Sequence, residues 1–172
     1  PDGLSLVDDG AQNGVSDQAE AFFQALSALD GEKAAVLSAL RDDVRPRAIY
    51  RASALHTQSG ATWLDREYIA WFDPMGRDTL SSLAAQVEAC RAAGFTQVVL
   101  QNFSFPTAGK LDLIDLGDTL SRPAALTALA QALRERCPDV TLGMILTEAA
   151  AENFLDGTSG QDVAELAQYF DV

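Results

Sequence analysis

The sequence predicts an α/β fold built on a mostly parallel sheet with flanking helices. The chain has 172 residues, of which 48% are hydrophobic, a size and composition suited to one hydrophobic core. Two short runs, 97–103 and 140–147, are continuously apolar at their centres, as in strands covered on both faces. Each run follows an amphipathic helical pattern, and this alternation predicts right-handed crossovers between parallel strands.

The first third of the chain predicts helices outside that sheet. Residues 1–15 are rich in Gly and Asp and predict a flexible or edge segment. Residues 16–47 predict a helical hairpin, because two apolar stripes recur at helical spacing on either side of Asp30-Gly31. The first stripe contains Phe22 and Phe23, and the second runs from Val36 to Val44 and stops before Pro46. Residues 48–172 then form the α/β domain, and we expect one structural domain overall.

The remaining elements follow from local patterns. Residues 48–52 and 63–72 are rich in aromatic and β-branched residues around Gln58-Ser59-Gly60, which predicts a β-hairpin. A helix beginning at Asp78 or Thr79 ends at Gly94 and leads into the strand 97–103. A second helix begins near Pro123, ends before Pro138 and leads into the strand 140–147. A short helix over 148–155 and a final helix after Ser159 complete the chain.

Composition excludes several classes of function. Twenty-five acidic residues against twelve basic ones give a formal charge of −13, which opposes nucleic acid and anionic membrane surfaces. No apolar run approaches a membrane span, so we expect no membrane insertion. His56 is the only histidine, Cys90 and Cys137 have no metal-ligand spacing, and no common nucleotide-binding signature occurs. We therefore expect no cofactor and no metal. The expected compartment is the cytoplasm, or the periplasm or exterior if a leader is removed.

Polar side chains stand at the carboxyl ends of three predicted strands. Asp73 follows the first, Gln101 and Asn102 end the second, and Glu148 follows the third. Because loops converge at that edge of a parallel sheet, we expect Asp73, Asn102 and Glu148 to form a catalytic group. Two carboxylates flanking an amide suit cleavage of a glycosidic bond, with Gln101, Trp71 and Phe103 binding the sugar. Each acid also has a purely structural interpretation, as a turn cap or in the first turn of a helix.

One stretch carries a resemblance to a known class of fold. Ala93-Gly94-Phe95-Thr96-Gln97-Val98-Val99-Leu100-Gln101, with Ala61 to Leu64 before it, resembles the opening β/α units of TIM-barrel sugar hydrolases. The resemblance covers residues 61–172 and implies sugar chemistry. The chain is shorter than the ~250 residues of an eight-unit barrel, so the expected fold is a partial barrel.

Two functions fit these patterns. The first is a non-catalytic interaction or assembly module, part of a larger protein or complex, whose helical hairpin docks on a protein partner or a second copy through Phe22 and Phe23. The alternative is a carbohydrate-active hydrolase that uses Asp73 and Glu148. Open strand edges in an incomplete barrel favour the module, because such edges need covering.

Overall fold

The computed structural model describes residues 24–26, 28–117 and 120–172. In chain order the strands are β1 (Ala34–Ser38), β2 (His56–Thr57), β3 (Gln97–Gln101), β4 (Ile114–Asp115), β5 (Thr141–Met144), β6 (Leu155–Asp156) and β7 (Gln161–Asp162). The helices are α1 (Arg45–Ala48), α2 (Thr79–Ala92), α3 (Arg122–Arg136), α4 (Glu148–Asn153) and α5 (Val163–Leu166). Two turns of 3₁₀-helix cover Arg51–Ser53 and Leu111–Leu113.

The central sheet has three parallel strands in the order β1-β3-β5. Ala34 lies opposite Gln97, and Gln97 lies opposite Thr141. The predicted parallel pairing of 97–103 with 140–147 is therefore confirmed. Beyond β5, Asp171 donates its amide to the Leu142 carbonyl at 2.8 Å, and Met144 donates to the Val172 carbonyl at 3.0 Å, which extends the hydrogen bonding to the far side of β5.

Helices α2 and α3 pack together and bury apolar residues in the same core as the sheet. Leu83, Val87 and Cys90 of α2 are buried with the strand residues Val98 and Leu100. The buried residues of α3 belong to the same core and are Ala125, Leu126, Leu129, Ala130 and Leu133. Gly94 ends α2 with a φ of +89°, as its sequence position predicts.

The predicted second helix of the N-terminal hairpin is wrong, because residues 34–38 form the strand β1. Ala34 to Leu37 is a continuous apolar run like those of β3 and β5, and the pairing with β3 outweighs its helical spacing. Residues 24–26 of the first predicted helix are helical, and most of that helix, including Phe22 and Phe23, lies outside the described residues.

The predicted strand over 48–52 is also wrong. Asp42 accepts hydrogen bonds from the amides of Val44 and Arg45 at 2.7 and 3.0 Å, and Pro46 then lies in the first turn of α1. Pro46 therefore helps to begin a helix rather than end one, since its fixed φ suits the first turn. The predicted turn over 58–60 is present. It connects His56 and Thr62, which pair with each other as an isolated antiparallel bridge.

Residues 63–72 are not the single strand that the sequence predicts. An isolated bridge joins Leu64 to Ala70, so the segment folds back on itself. The reversal is at Tyr68, which has a φ of +63° and donates its amide to the Asp65 carbonyl at 3.1 Å. The returning arm continues through bridges that pair Trp71 with Arg41 and Phe72 with Ala54. This small hairpin lies beside the chain that leaves β1.

Candidate functional site

A cavity of about 350 Å³ lies at the carboxyl edge of the parallel sheet, and we call it the strand-end cavity. Its lining comes from the chain beyond β1, the 65–71 hairpin, the loop after β3 and the residue before α4. The lining residues are Arg41, Asp65, Arg66, Glu67, Trp71, Gln101, Asn102, Ser104, Pro106, Thr107, Ala108 and Thr147. Small-molecule sites in parallel α/β folds occupy this position, because the connecting loops converge there.

Asp65 is the centre of a hydrogen-bond network on one wall of this cavity. Its carboxylate accepts from Arg41 Nε at 2.7 Å and from Trp71 Nε1 at 3.1 Å. It also accepts the backbone amides of Glu67 and Ile69 at 2.8 and 3.0 Å. Burial alone would raise the pKa of Asp65, but these hydrogen bonds lower it below the ordinary value. Asp65 is thus an ionised carboxylate that fixes the hairpin.

Glu67 is the exposed acid of the same wall. Its carboxylate accepts from Arg41 Nη2 at 2.6 Å, while its side chain is 74% exposed. Burial lowers the pKa of Arg41, but its bonds to Asp65 and Glu67 raise that pKa above the ordinary value. Arg41 therefore bridges two carboxylates, one largely buried and one largely exposed.

The end of β3 supplies two amide side chains. Gln101 is exposed, and Asn102 has a φ of +56°, a left-handed conformation that Asn tolerates better than most residues. Asn102 donates from Nδ2 to Ser38 Oγ at 3.0 Å, and Ser38 in turn donates to the Arg41 carbonyl at 2.7 Å. The ends of β1 and β3 are therefore joined by side chains at the cavity.

The side chain of Gln161 links the end of β3 to the end of β5. It is fully buried, and its Nε2 donates to the carbonyls of Phe103 and Ile145, both at 3.1 Å. Its Oε1 accepts the amide of Thr147 at 2.7 Å. Thr147 begins α4 as its N-cap and lines the cavity, so Gln161 sets the position of that wall.

Asp73 lies in a second cavity, of about 280 Å³, which we call the His56 cavity. His56, Asp115, Arg122 and Phe105 also line it. The Asp73 carboxylate accepts the Met75 amide at 2.9 Å. Burial raises the pKa of Asp73, although this hydrogen bond and the nearby His56 partly offset the effect. Burial thus makes the charged form of Asp73 less favourable than that of an exposed aspartate.

The other predicted site residues are dispersed. Glu148 is exposed in the first turn of α4 and lines neither of these two cavities. Phe103 is fully buried against Phe170, with ring centroids 5.3 Å apart. The structure therefore brings Asn102, Gln101 and Trp71 together at the strand-end cavity and places Asp73 elsewhere.

Sequence reasoning missed Arg41, Asp65, Glu67 and Gln161. A signal for Asp65 and Glu67 was present, because Asp65-Arg66-Glu67 interrupts an aromatic run and Asp is a favoured first residue of a turn, whereas Arg41 reaches Asp65 from 24 residues away. Gln161 carries no such signal, since its partners come from distant parts of the chain.

Within residues 24–26, 28–117 and 120–172, no group of three or more His, Cys, Asp or Glu side chains is placed to hold a metal. No helix in this part of the chain is long and apolar enough to cross a membrane.

The fold is similar to several solved structures. A hypothetical protein from Ruminiclostridium thermocellum matches with a TM-score of 0.61 at 17% identity, over 73% of this chain and 64% of that one. The glycoside hydrolase domain of PelA from Pseudomonas aeruginosa matches with a TM-score of 0.51 at 14% identity, over 73% of this chain and 47% of that one. Ega3 from Aspergillus fumigatus, solved in complex with galactosamine, matches with a TM-score of 0.52 at 13% identity, over 80% of this chain and 52% of that one.

These likenesses confirm the resemblance to glycoside-hydrolase-like folds over part of the chain. At such low identity they show the fold alone. The chain spans 64% of the Ruminiclostridium thermocellum protein and about half of the other two. No protein-family model and no curated protein matches the sequence.

Proposed function

We propose that this protein binds a carbohydrate in the strand-end cavity. The observation that carries the proposal is the convergence of Trp71, two strand-end amides and the Arg41–Glu67 pair in one 350 Å³ cavity. The cavity lies where α/β folds hold small molecules, in a chain whose fold is similar to glycoside hydrolase domains.

The chemistry of the lining suits sugar hydroxyl groups. Amides such as Gln101 and Asn102 offer both a donor and an acceptor, and Glu67 offers acceptors only. Trp71 is 7% exposed and its Nε1–H is bonded to Asp65, so it presents a fixed apolar edge rather than a mobile ring. A sugar has polar hydroxyl groups and apolar C–H faces. A ligand pocket usually combines polar and apolar groups in the same way.

The charge of the chain favours an amino sugar over an acidic sugar. The net charge is −13, and Glu67 is the exposed acid of the cavity wall. An ammonium group on the sugar gains an ion pair with Glu67, whereas a carboxylate on the sugar is repelled by the acidic surface. Galactosamine, the ligand in the Ega3 structure, is therefore the first probe.

Calorimetric titration with galactosamine, galactose and galacturonic acid tests this proposal. We expect saturable binding at millimolar concentrations, strongest for galactosamine. Gln101→Ala removes an exposed side chain of the lining and should weaken binding about tenfold. Gln131→Ala, which removes an exposed glutamine of α3, is the matched control and should bind as the wild type does. Absence of binding to all three sugars by the wild type would contradict the proposal.

Hydrolysis is the second candidate function, and the similarity to glycoside hydrolase domains favours it. It needs a carboxylate pair about 5–5.5 Å apart for retention or about 6.5–9.5 Å apart for inversion. The sequence proposes Asp73 and Glu148, and the strand-end cavity adds Glu67. Asp73→Asn, Glu148→Gln and Glu67→Gln, assayed for reducing-sugar release from amino-sugar polymers, separate these assignments. A variant that keeps full activity removes its residue from the pair.

The interaction module stays a separate prediction. Its proposed contacts, Phe22 and Phe23, lie outside the described residues. If the chain is such a module, Phe22→Ala should weaken a complex with a protein partner or second copy while sugar binding is unchanged. Size-exclusion chromatography with light scattering of the wild type and variant distinguishes the two functions.

A further inference from the structure

The His56 cavity is distinct from the strand-end cavity and is open to solvent, since Asp115, Leu116 and Leu120 of its lining are exposed. The loop after β3 separates them, since Ser104 and Pro106 line the strand-end cavity while Phe105 between them lines the His56 cavity. The polar residues that line the His56 cavity are not used together by the proposed sugar site, nor by the catalytic group expected at the carboxyl ends of the strands. Its volume of about 280 Å³ is below the ~300–1,000 Å³ of drug-sized sites, so it suits a small metabolite.

One part of the cavity lining is acidic. His56 and Asp115 are cross-strand partners in the β2–β4 pair, and such side chains lie on the same face of a sheet. Asp73 lies close enough for His56 to affect its pKa. Each carboxylate receives one local amide, from Met75 to Asp73 and from Gly117 to Asp115, both through Oδ1. No other hydrogen bond to either carboxylate comes from the described residues, so the second oxygen of each acid can accept from a ligand.

Arg122 supplies positive charge to the same cavity. Its guanidinium lies over the Phe105 ring, 5.5 Å from the centroid, and donates from Nη1 to the Thr158 carbonyl. Among the described residues, Arg122 forms no ion pair with Asp73 or Asp115, although all three line the cavity. Arg122 has Asp156 as an electrostatic neighbour and Asp73 has His56, but the groups of opposite charge in this lining do not form an ion pair with each other.

We propose that the His56 cavity binds a small zwitterion, an aliphatic α-amino acid, with its ammonium group toward Asp73 and Asp115 and its carboxylate toward Arg122. A ligand with both charges pairs with both parts of the lining, whereas a singly charged ligand leaves one part unpaired. Ala54, Phe105 and Ala125 provide an apolar surface for the aliphatic side chain. This inference is independent of the proposed sugar site.

Calorimetric titration of the full chain with L-leucine and two matched analogues tests the proposal. Isoamylamine has the same alkyl chain without the carboxylate, and isocaproic acid has it without the ammonium group. We expect saturable binding of leucine at millimolar concentrations and at least about tenfold weaker binding of either analogue. Because the comparison uses the wild-type protein, it does not depend on whether a variant folds.

Variants then assign the two charged parts. Asp115→Asn and Arg122→Gln should each weaken leucine binding about tenfold, while Asp112→Asn, an exposed acid that lines neither cavity, should have no effect. Galactosamine should not compete with leucine. The proposal is overturned if leucine and valine both fail to bind, if an analogue binds as tightly as leucine, or if neither charged-residue variant changes binding.

Discussion

Replacing Gln161 with Leu should be among the most destabilising single changes in the chain. Leu retains most of the side-chain volume but removes three hydrogen bonds, to the Phe103 and Ile145 carbonyls and from the Thr147 amide. At about 1–1.5 kcal/mol for each of the three buried bonds, the free energy of unfolding should fall by about 3–4.5 kcal/mol. Gln161 is fully buried, so water cannot replace the lost partners without opening the fold.

Urea unfolding followed by fluorescence of the two buried tryptophans, Trp63 and Trp71, measures this loss. Gln131→Leu is the matched control, because Gln131 is exposed on α3 and its side chain donates to that of Glu135 one turn further along the same helix. That control should change the free energy of unfolding by less than about 0.5 kcal/mol. A loss below about 1 kcal/mol for Gln161→Leu would refute the role of Gln161 as the link between the ends of β3 and β5.

A second substitution separates hydrogen bonding from packing. Gln161→Glu keeps the size of the side chain and the bond from Thr147, but at neutral pH it sets a carboxylate oxygen against two carbonyl oxygens. We expect at least as large a loss as for Leu. A near-neutral effect would mean that these carbonyls do not depend on the amide.

Three further predictions concern titratable groups. Burial raises the pKa of the Cys90 thiol to about 11, so Cys90 and the buried Cys137 should react slowly with a thiol reagent until urea unfolds the chain, and rapid native labelling of both would contradict this. The pKa of Asp65 is lowered, so its stabilising effect exists above its ordinary value of 3.8 and is lost as pH falls through the folded value. Asp65→Asn should therefore lower stability at pH 7 and approach the wild type in acid. The pKa of Asp73 is raised, so Asp73→Asn should increase stability at pH 7, and a decrease would contradict the burial argument.

The sequence predicts the elements whose pattern is local. Strands β3 and β5 have continuous apolar runs, and α2 and α3 have apolar stripes with Gly94 or Pro138 at their ends. These patterns lie within short stretches of sequence, so they can be recognised without knowledge of the tertiary structure. The parallel pairing follows from the alternation of the elements.

The elements that failed depend on distant partners. Ala34 to Ser38 satisfies both a helical and a buried-strand pattern, and only the pairing with β3 decides between them. Likewise, the hairpin over 64–70 reverses at Tyr68, and its Asp65 carboxylate is held by Arg41 from beyond β1. No window of sequence contains both ends of that contact.

The same distinction applies to the candidate site. The strand-end rule, which expects a site where the carboxyl ends of parallel strands meet, indicates the edge at which Gln101 and Asn102 line a cavity, and a catalytic group there stays a prediction. It misplaces Asp73, because the chain before that residue is not a parallel strand but the returning arm of a small hairpin. The wall made by Arg41, Asp65 and Glu67 depends on side-chain contacts between segments more than twenty residues apart.

The most direct test of sugar binding at the strand-end cavity is a titration with galactosamine monitored through the tryptophan indole N–H resonances. The chain has two tryptophans, and they serve as probe and internal reference. Trp71 lines the cavity and donates its Nε1–H to Asp65, whereas Trp63 is buried and donates to the Lys110 carbonyl. Binding at the proposed site predicts a saturable shift of the Trp71 resonance with little change at Trp63. An unchanged Trp71 resonance at millimolar sugar, or equal shifts of both, would contradict it.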